Sequence, residues 1–164
     1  VRARRAALED LRRQRADALA SEFVPFLDAA ATGELAFDAP STRARAAELE
    51  QASRDELHLP GVLDAATKAA LARARQGGCV VDIYTDTDTI VVPQQVTTLL
   101  RAALADGCPD RLTVSLYRSS TGVLVSLVAV PGGYIRAARL RGELRHLPAY
   151  VAEDDDAISV ELTV

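Results

Sequence analysis

Of the chain's 164 residues, 49% are hydrophobic but only 4% aromatic, with no Met and no Trp, so any core is built from Ala, Val and Leu. That length suffices for one buried core with a helical appendage. A formal net charge of −4 argues against a general nucleic-acid binder, which needs a cationic face to neutralise phosphates. A single lysine, Lys68, stands among abundant arginines and points to a GC-rich coding sequence rather than to a function. No apolar run approaches the roughly 20 residues that a membrane span needs. The start "VRARR" has neither an initiator Met nor a cap. It reads as the beginning of an excised piece, and such basic starts follow membrane helices on the cytoplasmic side. The expectation is a cytoplasmic segment with a membrane helix upstream of it.

Residues 2 to 31 carry Leu8, Leu11, Leu19, Phe23, Phe26 and Leu27 at three- and four-residue spacing, which predicts a helix with arginines on its outer face. Pro25 should bend or break it near the middle. Gly33 and "FDAPST" predict a turn, with Ser41 or Thr42 as N-cap of a second helix over 42–57 that Pro60-Gly61 ends. A third helix is expected over 64–76, capped by Asp64 and closed by Gly77-Gly78.

After Gly78 the period changes to that of strands. "CVVDIYT" and "TIVV" read as short strands joined by "DTDT". Pro93 opens a helix that places Val96, Leu99, Leu100, Ala103 and Leu104 on one face, and Gly107 ends it. "RLTVSLY" alternates strictly, "SSTG" turns the chain, and "VLVSLVAV" is apolar on both faces, as a central strand would be. The run Leu127 to Gly133, "LVAVPGG", stops at a proline and two glycines. A last helix is expected over 135–147, followed by a closing hairpin, "AYVA", "EDDD", "AISVELTV". Helices first and a mixed sheet covered on one face afterwards make an α+β class, a two-layer α/β sandwich behind an N-terminal helical segment. The expected organisation is a helical segment over 1–62 and a sheet domain over 63–164.

From about Leu71 onward this order resembles the catalytic ATP-binding domain of sensor histidine kinases, the GHKL or Bergerat-fold ATPases. The phrases that carry the likeness are "VPQQVTTLLRAALADGCPDRLTVSLYRSSTGVLVSLVAVPGG" and "LRGELRHLPAYVAEDDDAISVELTV". The likeness, from about Leu71 to the end, covers a little over half of the chain. The resemblance implies a Mg²⁺-holding Asn on the helix before an Arg-Val-Thr-Val strand, here Arg-Leu-Thr-Val, a Glu one turn earlier, and an adenine-reading Asp followed by spaced glycines. Counting back from Arg111 places Ala102 at the Asn position and Thr98 at the Glu position. Counting on from Gly122 places Ala129 at the Asp position and Pro131 at the first glycine, and only Gly133 is retained. Magnesium wants oxygen ligands in tight octahedral geometry, and an Ala methyl offers none. The resemblance therefore implies a kept fold with a dismantled ATP site: no cofactor, no metal and no catalytic residue.

"SRDELHLPGVLD" resembles the Arg-x-Glu-Leu-His phrase of a histidine-kinase phosphorylation site, which makes His58 a candidate phosphoacceptor. The acid that should follow is replaced by Leu59-Pro60, and no second long helix follows. His58 therefore reads as a helix-end residue, and His146 as another near the end of the last helix. Asp82, Asp86 and Asp88 offer too few ligands for a calcium loop. Asp154, Asp155 and Asp156 read as a solvated turn. Ser119, Ser120 and Thr121 have no acid or His beside them in sequence. The two cysteines, Cys79 and Cys108, lie far apart and, with no secretory signal, read as reduced, semi-buried thiols.

The expected function is a non-catalytic regulatory or scaffold domain of a bacterial signalling protein. It would form a homodimer through its N-terminal helices and bind a protein partner, with no nucleic acid involved. Two alternatives are a divergent but active ATP-binding histidine kinase and an anti-sigma-like binding module, a group that shares this ATPase fold.

Overall fold

Alternation of apolar and polar residues along "RLTVSLY" and "AISVELTV" puts one set of side chains on one face of a strand, and the computed structural model shows how those faces combine. It describes residues 2–59, 61–86, 93–105, 107–120, 122–131 and 135–163. The chain divides into two compact units, Val1–Pro60 and Gly61–Val164.

The first unit is a pair of contacting helices, α1 (Arg2–Ala31) and α2 (Pro40–His58). Pro25 lies inside α1 without interrupting it. Proline there forfeits one intrahelical hydrogen bond, a loss that a helix of 30 residues absorbs. The turn between the helices uses Gly33 at φ +77°, a left-handed conformation that glycine adopts without a Cβ penalty. The N-cap of α2 is Ala39, not Ser41 or Thr42, and Pro40 occupies the first turn. Proline suits that place because its fixed φ is already helical and its missing N–H has no partner to lose.

The second unit opens with α3 (Ala65–Gln76), capped by the Asp64 carboxylate, which accepts from Thr67 N at 2.8 Å. There follow β1 (Val80–Thr85), α4 (Pro93–Leu104), β2 (Arg111–Ser119), β3 (Gly122–Val130), α5 (Ala137–Glu143), β4 (Ala149–Asp154) and β5 (Ala157–Thr163). The expected strand "TIVV" lies outside the described residues. The last helix is shorter than its periodicity predicts. Leu144 already closes it, and Leu147 N donates to Leu144 O at 2.8 Å in a turn before Pro148. A residue before proline avoids the helical region, which ends the segment early.

The five strands form one mixed sheet in the order β1-β2-β3-β5-β4. β1 runs parallel to β2 through the α4 crossover, and the other neighbours are antiparallel. The register aligns the core-facing side chains in rows. One row is Val81, Leu112, Ala129, Ile158, and the next is Ile83, Val114, Leu127, Val160, Val151. Helices α3, α4 and α5 occupy the same side. α4 buries Val96, Leu99, Leu100 and Ala103 completely, while Leu104 is only half-buried. Each fully buried Leu or Val contributes about 1.5–3 kcal/mol. The opposite face keeps Val80, Tyr84, Tyr117 and Tyr150 exposed. The fold is thus the α+β, two-layer sandwich that the sequence predicts.

Candidate functional site

Thr98 and Ala102 lie four residues apart on α4 and so share one face of it. Thr98 is half-buried, and Ala102 is buried at 8% exposure. Ala129 is completely buried on the core face of β3, between Leu112 of β2 and Ile158 of β5. Pro131 follows β3 directly and is half-buried. Gly133 lies outside the described residues. The donor set at these positions is poor. Two alanines and a proline supply no side-chain oxygen or nitrogen, and Thr98 supplies a single hydroxyl. This set does not fit a Mg²⁺-triphosphate, which needs several oxygen ligands in octahedral array.

The charged residue beside Ala102 in sequence serves the fold. Arg101, on the turn of α4 between Thr98 and Ala102, points its guanidinium toward the Asp64 carboxylate at 3.9 Å. Thr67, through its side chain and its backbone N–H, holds the Asp64 carboxyl below its usual range, and Arg101 adds to the effect. A hydrogen bond to the ionised form favours that form. Sequence reading finds Asp64 as a cap but misses Arg101, because nothing in the spacing relates residues on two helices.

Asp82 pairs with Arg111 at 3.5 Å across β1 and β2, and Asp86 accepts from Arg118 N at 3.0 Å. Asp88 lies outside the described residues. Asp154, Asp155 and Asp156 are exposed in the β4–β5 turn, where Asp155 N donates to the Asp154 carboxylate at 2.9 Å. Ser119 Oγ donates to Gly122 O at 3.2 Å and closes the β2–β3 hairpin; Ser120 is exposed, and Thr121 lies outside the described residues. Among the described residues no three His, Cys, Asp or Glu side chains converge as metal ligands would.

His58 is the last residue of α2 and half-buried, as its helix-end reading requires. His146 is displaced from its expected place: α5 stops at Glu143, three residues earlier. It instead lines a surface depression of about 470 Å³ with Arg139, Gly142, Glu143 and Arg145. No helix among the described residues is long and apolar enough to cross a membrane.

Cys79 and Cys108 are both free thiols, the first buried and the second half-buried. They come together at the C-terminal end of α3, a proximity that their separation in sequence conceals. Burial, and then the neighbouring Cys108, pushes the Cys79 thiol up to about 12.

No protein-family model matches the chain, and no curated protein does. Among solved structures, it is similar to the Acinetobacter baumannii histidine kinase AdeS at 16% identity and a TM-score of 0.42, over 92% of this chain and 95% of that one. It is similar to the catalytic domain of histidine kinase ThkA at 9% identity and a TM-score of 0.42, over 65% of this chain and 92% of that one. It is also similar to ThkA solved in complex with the response regulator protein TrrA, at 12% identity and a TM-score of 0.39, over 99% of this chain and 63% of that one.

Proposed function

We propose that residues 63–164 are a histidine-kinase-like ATPase domain without ATP chemistry, and that the chain is a regulatory or scaffold part of a bacterial signalling protein. The observation that carries this reading is the pair Ala102 and Ala129. They stand where the resemblance puts a metal-holding carboxamide and an adenine-reading carboxylate, and both are buried methyl groups. A lost hydrogen bond to a charged partner costs about 1.5–3 kcal/mol, so two losses weaken binding by about 100-fold or more. Residues 1–62 act as a helical dimerisation segment. Val24 and Leu27, three residues apart on α1, are 48% and 57% exposed and support a contact surface there. The working compartment in this reading is the cytoplasm, and the partner is a protein of a regulatory pathway.

Titration calorimetry with ATP and Mg²⁺ tests the proposal. No binding heat at micromolar to submillimolar nucleotide is the expected outcome. Micromolar binding, or transfer of a radiolabelled phosphoryl group that His58→Ala abolishes, would overturn it.

A further inference from the structure

The α3–β1 connection is built around one carbonyl. Gly77 N donates to Arg73 O and Gly78 N to Arg75 O, each at 2.9 Å, and Cys79 N donates to Ala74 O at 3.0 Å. The thiol of Cys108, from the connection between α4 and β2, donates to that same Ala74 oxygen at 3.1 Å. Its Cβ packs over the helix end, 3.9 Å from the place a Cβ on Gly77 would take. Parallel pairing brings the two connections together, with Val80 N donating to Asp110 O at 2.9 Å. The Cys79 amide and the Cys108 thiol share the Ala74 oxygen as acceptor, and the neighbouring Cys108 adds to burial in pushing the Cys79 thiol up, with Arg75 and Asp110 as the nearby charges. Two thiols thus converge on one helix end, one buried and one reachable from solvent.

We propose that Cys79 and Cys108 are an oxidisable dithiol, which a hydroperoxide converts into a disulfide joining the end of α3 to the start of β2. The half-buried Cys108 reacts first. Its thiolate attacks the distal oxygen of the hydroperoxide, the O–O bond breaks, an alcohol or water leaves, and sulfur is oxidised to sulfenic acid. The Cys79 sulfur then attacks the Cys108 sulfur, the S–O bond breaks, and hydroxide leaves with the Cys79 proton as water. In sum, two thiols and one hydroperoxide give a disulfide, an alcohol and water. A thiol reductant reverses the change by exchange. The buried, strongly protonated Cys79 resists oxidation on its own, because the thiolate is the nucleophile. Oxidation deletes the hydrogen bond that Cys108 gives to Ala74 O and replaces it with a covalent tie around α4.

Dilute protein is treated with stoichiometric hydrogen peroxide, digested without reduction and mapped by mass spectrometry. The expected product is a monomer lighter by two hydrogens, with peptides containing Cys79 and Cys108 joined and both thiols lost together. Its unfolding midpoint rises by roughly 5–15 °C over that of the reduced protein, as closure of a loop of this size implies. In Cys79→Ala a dimedone-trappable sulfenic acid accumulates on Cys108, whereas in Cys108→Ala the remaining thiol stays unreacted. Over-oxidation of Cys108 with Cys79 still free in the native sequence would overturn the proposal. So would cross-linking only between copies of the chain. The mapping of the native sequence decides the matter even where a variant folds poorly.

Discussion

Arg101 on α4 reaches the carboxylate of Asp64, the N-cap of α3, at 3.9 Å, so the start of one helix is tied to the flank of another by a residue that also caps. The cap is the stronger half of this arrangement, since exposed ion pairs contribute little. Asp64→Ala should lower the unfolding midpoint, while Asp64→Asn should keep most of it at neutral pH, because Asn caps as well as Asp. The folded-state carboxyl lies below its ordinary value of 3.8. Its ionised form therefore favours the folded state, fully above the unfolded value and progressively less as pH falls through the folded one. Thermal melts across the acid limb should be flatter for Asp64→Asn than for the native protein.

Ala129→Asp should not restore a nucleotide site but unfold the sheet. The side chain points into the core between Leu112 and Ile158 with no exposure. A carboxyl buried there is forced toward its neutral form, a shift of 3–5 units, or about 4–7 kcal/mol. Urea denaturation should show a loss of that size, and retained stability with new ATP binding would contradict it.

Gly78 sits at φ +95° with open space around the place of a Cβ. Gly78→Ala should then cost only the backbone penalty, about 1–2 kcal/mol. Gly78→Asn should cost less, since Asn tolerates that region. Chemical denaturation of the two variants distinguishes a conformational cost from a steric one.

Val24→Glu together with Leu27→Glu should weaken self-association of the chain. Burying one such side chain is worth about 1.5–3 kcal/mol, so the double change should raise the dimer dissociation constant by about 100-fold. Sedimentation over a concentration series measures it, with circular dichroism as the check that helix content is unchanged.

The strands were legible because their alternation is strict: Leu112, Val114 and Leu116 are buried, as are Ile158, Val160 and Leu162. Asp64 and Gly77 were legible as caps because those residue types meet a local need of helix ends. The α2 cap was not legible because Ser41 and Thr42 have the stronger capping preference but lie two and three residues past Ala39, where Pro40 starts the helix. Pro148 outweighs the apolar spacing of Leu140, Leu144 and Leu147, so the last helix ends before that spacing does. The convergence of Cys79 with Cys108, and of Asp64 with Arg101, was invisible. Each depends on a crossover that pairs distant segments, and no local pattern encodes it. At the proposed nucleotide positions the informative signal was the substitution of alanine for polar groups, which only the resemblance made readable.

The parallel pairing of β1 with β2 has a consequence for how the chain emerges from a ribosome. β2 and β3 are joined by a tight hairpin, and so are β4 and β5, so each can zip as soon as it is made. β1 cannot: its partner begins at Arg111, after the whole of α4. At about 5–20 residues per second, translation leaves Val81 and Ile83 waiting for roughly 1.5 to 6 seconds for Leu112 and Val114. During that interval an apolar edge is open to any passing strand, and a chaperone has its clearest reason to bind.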